Sequence, residues 1–380
     1  MSSAPKRRRL LRGALLGAAG LAVPLGLGIA GYLHRNATGL GKGLADVAAA
    51  GITEKQATVD GHVLNYAEGP RNGPPLLLVH GQATRWQDHM LVLPELAARH
   101  HVVAVDIPGH GGSDRLAPEE YTNARVGALL ARFVAEVVGE PVILSGHSSG
   151  GLLALWIAAE RPEWVCGLLL EDPPLFSSEM PRLPHTTGGI SLVLAERHRA
   201  TGAPATEFQR YFVEHGNYFE FFGPLQGALR ASALRWIDAH PGRPLHLGYL
   251  PPLVSVFFQG LVHYDTAFGA AWVHGEPGWY AGFDTEAALA AVDVPTTVIH
   301  TNYVEATRGA AYSDDGILLA AMDQADLDRA LRLLPDGTET TQLRSGHLVH
   351  FERPKEFLAA VDGLAGRVRA RQGARWPGEA

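Results

Sequence analysis

The sequence predicts an α/β protein in which helices flank a sheet and the chain leaves that sheet once, for a long helical insertion. Three observations predict it. Short continuous apolar runs, LLLVH (Leu76 to His80) and VVAVD (Val102 to Asp106) among them, have the character of strands buried on both faces. Between such runs stand segments whose apolar residues recur at helical spacing, which gives the rhythm strand, helix, strand. From Pro173 to about Val292 the rhythm stops in a stretch rich in aromatics and broken by prolines.

The elements follow in order. Lys6 to Arg12 (KRRRLLR) precede an uncharged run from Gly13 to Leu33, roughly the 20 residues that span a bilayer. The basic cluster favours a cytoplasmic N-terminus, so residues 1–35 read as a membrane anchor with the remainder of the chain outside the cytoplasm. A cleaved export signal is the alternative, with Arg7 and Arg8 as a loose twin-arginine pair and Gly28-Ile29-Ala30 as a cleavage site; the domain is then secreted. Residues 36–53 read as a Gly/Ala-rich tether. QATV and HVLNYAE flank Asp60-Gly61, a dipeptide that accepts the positive φ angles of a hairpin turn. Val126, Leu129, Leu130, Phe133, Val134 and Val137 form one face of a helix before the next strand, Val142 to Leu144. GLLALWIAAERP reads as helix and GLLLED (Gly167 to Asp172) as strand. After the insertion, read as a helical cap over 173–292, the core resumes with VPTTVIH (Val294 to His300), a helix near Gln324 to Leu334, the strand ETTQL and a closing helix from Pro354. The core therefore divides into 54–172 and 293–370, with a tail at 371–380.

With 380 residues, 46% hydrophobic and 19% charged, the chain is long enough for a sizeable core. A net charge of −7, with no long basic run outside the N-terminus, does not indicate nucleic-acid binding and favours small-molecule chemistry. One cysteine, Cys166, excludes an intrachain disulfide and a Cys-based zinc site, and it reads as a small buried apolar side chain.

Chemistry enters at VILSGHSSGGLLALW (Val142 to Trp156), where Gly146-His147-Ser148-Ser149-Gly150 fits G-x-S-x-G between a predicted strand and a predicted helix. A serine on such a turn takes a strained conformation, and its neighbours must be small for strand and helix to approach. The following helix N-terminus presents free N–H groups, so that of Ser149 can receive charge developing on a substrate oxygen. A hydroxyl near its free pKa is a poor nucleophile and needs a base and an orienting carboxylate. His347, after Gly346 in the loop that follows the last predicted strand, is the candidate base; His350 competes but reads as packing beneath that loop. The backbone N–H of Gln82, directly after His80-Gly81, is the candidate second oxyanion donor. DIPGHGGSD (Asp106 to Asp114) reads as structural, its glycines serving turns.

Taken in order, LLLVHG, VVAVDIPGHGGSD, GHSSGG, LLLEDPP, VPTTVIH and SGHLVHFERP resemble the α/β-hydrolase family over about Ala57 to Val361. The resemblance implies an eight-stranded, mostly parallel sheet, a helical cap inserted after strand six and a site between strand ends and cap. Members most often carry the acid about four residues beyond strand seven, where this chain has HTNYVEATRGAAYSDDG and no aspartate. Glu305 is the nearest carboxylate there; Asp172, at the end of strand six, matches the position other members use, and both stay candidates. Serine at the elbow, rather than the aspartate of relatives that open epoxides, implies acyl transfer. The expected activity is hydrolysis of a carboxylic ester, or of a lactone, amide or carbon–carbon bond next to a ketone, requiring no metal and no organic cofactor. A haloperoxidase-like or biosynthetic acyl-transfer enzyme, and a catalytically silent binding module, are the competing expectations. The aromatic insertion suggests a substrate with an apolar portion.

Overall fold

The computed structural model describes residues 30–274, 277–301 and 311–373. The sheet opens with the expected hairpin, β1 (Thr53–Val59) and β2 (His62–Glu68), turned through Asp60 and Gly61 at φ 51° and 82°. It continues through β3 (Pro75–Val79), β4 (His101–Val105), β5 (Val142–His147), β6 (Val165–Glu171), β7 (Thr296–Thr301) and β8 (Glu339–Leu343). The order is β1-β2-β4-β3-β5-β6-β7-β8. The β1–β2 and β2–β4 pairs are antiparallel and all others parallel, with Leu144 of β5 opposite both Leu77 and Leu168.

Strand periodicity explains the unbroken apolar runs. Leu77 and Val79, Val142 and Leu144, and Leu168 and Leu170 face one core, while Leu76 and Leu78, Ile143 and Leu169 face the other. Alternate side chains point to opposite faces, so a strand covered on both sides must be apolar throughout. On the first face lie the helices Asn123–Phe133, continued by a wider turn over Val134–Val138, and Ser149–Glu160. A Cβ on Gly127 would come within 2.4 Å of the Trp156 ring, so glycine sets how closely these helices approach. The second face is covered by Leu93–Ala97 and the closing helix Pro354–Gln372.

Between β6 and β7 the chain forms the helices Thr187–Ala200, Phe208–His215, Gln226–Ala239, Thr266–Val273 and Thr285–Ala291. Their starts are legible in chemistry: Thr186, Asp265 and Asp284 each accept a backbone N–H of the first turn. Much of the aromatic content packs on itself, as Tyr218 on Phe257 (5.3 Å, planes 10° apart) and Trp272 on Trp279 (4.3 Å, 14°).

Residues 36–53 are not an extended tether. Residues 30–49 are helical, and Asn36, Leu40 and Val47 are buried. The glycines that suggest flexibility serve close packing instead: a Cβ on Gly39 would meet Pro252 at 2.7 Å and one on Gly43 would meet Met90 at 2.6 Å. These positions are four apart and share one helix face. Among the described residues no helix is long and apolar enough to cross a membrane. The run expected to form the anchor lies, up to residue 29, outside the described residues.

Candidate active site

The carboxyl ends of β5, β6 and β7 and the loop after β8 converge on one cavity, where open α/β sheets bind their ligands. β5 ends at His147 and the next helix begins at Ser149, leaving Ser148 to make the turn at φ 53°, ψ −123°. That conformation is costly for a residue with a Cβ and is held by its surroundings. The Ser148 N–H donates to the Glu171 carbonyl at 2.9 Å. A Cβ on Gly146 would lie 2.3 Å from the Gly150 carbonyl oxygen, and one on Gly81 would lie 3.0 Å from Ser148 Cβ. Any larger residue at either position would push the serine turn out of place.

His347 and Asp172 are brought together from opposite ends of the domain. His347 Nδ1 lies 2.6 Å from Asp172 Oδ2. The carboxylate is fully buried and also accepts Thr301 N–H at 3.0 Å and Thr301 Oγ1–H at 2.8 Å. Asp172 itself departs from strand geometry at φ 45°, which turns its side chain toward the β8 loop. Burial lowers the His347 pKa, but the hydrogen bond and charge of Asp172, with Glu171 and Glu352 nearby, outweigh it and raise the pKa above its ordinary value. The His347 side chain is 40% exposed and lines the cavity. Glu305 lies outside the described residues.

Beneath this pair sits a second set of ionisable groups. His350 Nδ1 donates to Glu171 (2.8 and 2.9 Å to its two oxygens), and the His350 backbone N–H donates to Glu171 Oε1 at 2.9 Å. His350 is thus buried under the loop, as its sequence context suggests. Burial would raise the Glu171 pKa, but the charge and hydrogen bond of His350 bring it down to about 2. Burial likewise opposes charge on His350, but Glu171 and Asp88 raise its pKa. His147, next to the serine, has its pKa lowered by burial to about 3 and is neutral. Its Nε2, facing the His347 carbonyl oxygen at 3.0 Å, must carry the proton and donate. On the other side His80 donates from Nδ1 to the Gly81 carbonyl at 2.7 Å and accepts Ile107 N–H at Nε2. This pins the strand end that leads into Gln82. The motifs alone do not single out His147, Glu171 or Asp88; the repeated acid–histidine pattern, Glu171-Asp172 against His347 and His350, is the signal that could have.

Among the described residues, Asp88, His89 and His350 bring three potential metal-ligand atoms within 4.8 Å of one another. The two imidazoles stack face to face at 4.2 Å with planes 23° apart, whereas ligation would direct both ring planes at one ion. His89 Nδ1 instead lies 2.8 Å from Asp88 Oδ1, an ion-pair geometry.

The cavity has a volume of about 480 Å³, within the usual range for small-molecule sites. Ser148, Ser149, His347 and Gln82 line it on the sheet side, and Leu192, Phe212, Tyr218, Phe257 and Trp272 line it from the insertion. Gln82 Nε2 donates to Tyr264 Oη at 3.1 Å, which ties the Gln82 side chain to the insertion. The described lining includes the carboxylates Asp172 and Glu352 and no lysine or arginine.

Comparison with known proteins places this architecture. A human protein described as serine hydrolase-like is 33% identical over 146 residues, 37% of this chain and 72% of that one. Several other curated relatives are matched over half of their own length or less. The solved enol-lactonase from Burkholderia xenovorans LB400 superposes with a TM-score of 0.56 at 17% identity, covering 82% of this chain and all of that one. A solved bacterial membrane phospholipase A gives 0.51 at 22% identity, covering 94% of this chain and 99% of that one. A family model described as alpha/beta hydrolase family matches residues 76–361, from the first parallel strand into the closing helix. The chain belongs to that family.

Proposed function

We propose that the protein is a serine hydrolase that cleaves a carboxylic ester, or a related acyl substrate such as a lactone or amide, through an acyl-enzyme. The observation that carries this reading is the 2.6 Å contact of His347 with buried Asp172 in the cavity that Ser148 also lines. Ser148 Oγ attacks the substrate carbonyl carbon, and its proton passes to His347 Nε2. Asp172 holds the opposite nitrogen protonated and stabilises the imidazolium. The backbone N–H groups of Gln82 and Ser149 receive the charge on the carbonyl oxygen. His347 then protonates the leaving alkoxide, and water, deprotonated by the same imidazole, releases the acid and regenerates Ser148. The apolar wall from the insertion, acting as a cap, favours a substrate with a hydrophobic acyl part. The enol-lactonase and phospholipase among the structural neighbours are compatible with that substrate class.

Labelling by a fluorophosphonate probe tests the reading. Wild-type protein is expected to label and Ser148→Ala to remain unlabelled; failure of correctly folded wild-type protein to label would sink it. A panel of p-nitrophenyl esters and lactones then identifies the preferred bond. The basic cluster and apolar run at the N-terminus support attachment to a membrane, with the hydrolase outside the cytoplasm. Fractionation tests this, because a soluble form lacking the first residues would replace the anchor by a cleaved signal.

A further inference from the structure

The cavity that holds Ser148 backs onto a second one. This neighbour, of about 560 Å³, lies between the segment around Trp279 and Tyr280 and the side chain of Arg329. Its rim carries Glu179, Glu286 and Arg329, the last two joined by a 2.7 Å ion pair, so it opens toward water. The partition between the two cavities rests on two contacts. Trp272 lines both of them. Ser178, which lines the Ser148 cavity, is hydrogen-bonded at 2.7 Å to the hydroxyl of Tyr280, which lines the other.

Packing alone holds the indole in place. Trp272 stacks on Trp279 at 4.3 Å with planes 14° apart and meets Tyr280 edge-on at 6.1 Å. Its Nε1 is buried with no hydrogen-bond partner among the described residues. Shortening this side chain therefore breaks no side-chain polar contact and cuts back the residue that the two cavities share. The space beyond has Trp279, Phe283 and Ala271 in its lining as well as the charged rim. Those apolar side chains suit an uncharged chain whose far end meets solvent.

We propose that Trp272 sets the length of acyl chain the enzyme accepts, and that the second cavity is a further acyl subsite, for the distal methylenes of a long uncharged chain, with the Trp272 indole as the wall residue that the two cavities share. The proposal rests on the ester-hydrolase reading. Each further methylene buried beyond the wall adds to the binding of a long chain, so opening the wall raises long-chain turnover relative to short-chain turnover.

The test compares kcat/KM for p-nitrophenyl esters from butanoate to hexadecanoate in wild type, Trp272→Ala and Trp272→Phe. The ratio of dodecanoate to butanoate is expected to rise on the order of tenfold in Trp272→Ala, consistent with pocket discrimination by methylene groups. Trp272→Phe, which keeps an aromatic ring in the core, is expected to shift the ratio the same way by less, and it carries the test should the alanine variant fail to fold. Fluorophosphonate labelling of each variant reports whether the nucleophile is intact. Labelled variants with an unchanged chain-length profile would overturn the proposal and leave the ester-hydrolase reading standing; a wild-type protein that does not label overturns that reading itself.

Discussion

Glu171 and His350 form a buried acid–imidazole pair, 2.8 Å apart, directly beside the exposed-side pair of Asp172 and His347. Consecutive carboxylates at one strand end thus hold two histidines three residues apart in one loop. The upper pair faces the cavity. The lower pair, with His147 donating to the His347 carbonyl, fixes where that loop stands.

Glu171→Gln is expected to destabilise the protein by about 3 kcal/mol, because removing one partner of a buried ion pair leaves the other uncompensated. Chemical denaturation measures this. It is also expected to lower kcat, since the displaced element carries the base. Glu171→Asp, which keeps the charge on a shorter arm, should recover part of both losses. Unchanged stability and unchanged kcat in Glu171→Gln would remove the lower pair from any positioning role.

Asp172→Asn is expected to lower kcat by about 10⁴-fold, the scale on which loss of the orienting carboxylate leaves the base in the wrong tautomer. Glu305→Gln, prepared in parallel, should change kcat by less than about tenfold. Steady-state kinetics on one activated ester checks both, and the reverse ranking would assign the acid to Glu305.

Activity should depend on pH through His347. The imidazole must be neutral to accept the serine proton, and its pKa is raised by Asp172 against the opposing effect of burial. The plot of kcat/KM against pH is therefore expected to rise with a midpoint above 6.5, the ordinary histidine value. In Asp172→Asn the residual activity should rise with a lower midpoint, because the charge that favours the imidazolium is gone.

Stability should fall in acid by the lower pair. The Glu171 pKa falls from 4.5 to about 2 on folding, so its contribution is complete above 4.5 and is lost as pH drops toward 2. His350 has the opposite sense: its raised pKa gives stability below 6.5 that is lost as pH rises through the folded value. Thermal unfolding across pH 2 to 8 should show the acid limb shrink in Glu171→Gln.

Legibility in the sequence followed the physics of each feature. The strands were readable because both faces of β3, β5 and β6 are covered, which forces continuous apolar runs. Ser148 was readable because its turn demands glycines at fixed positions. The acid was not settled, since whether Asp172 meets His347 depends on a single φ of 45° at the end of β6. The lower pair was less visible still, because Glu171 and His350 are 179 residues apart and each has a plain structural alternative as a buried polar residue. Composition misled at residues 36–53, where glycines that pack closely against Pro252 and Met90 look like those of a flexible tether.

Gly39→Leu tests how the helix over residues 30–49 is attached. A Cβ there would already lie 2.7 Å from the Pro252 ring, which cannot swing aside as a flexible side chain can, so leucine must lift the helix locally. Leu40 and Val47, buried in the same core as Met90 and Val256, would then lose part of their cover. The cost should be about 1 to 3 kcal/mol, the usual range for overpacking. Gly41→Leu, at a position whose Cβ meets nothing within 4 Å, should cost far less. Limited proteolysis within residues 30–49 should accelerate in Gly39→Leu and not in Gly41→Leu. Because Pro252 adjoins Leu253, which lines the Ser148 cavity, the same variant should also raise KM for the preferred ester while leaving fluorophosphonate labelling intact. Equal protease resistance in the two variants would mean that Gly39 is not the point of close contact.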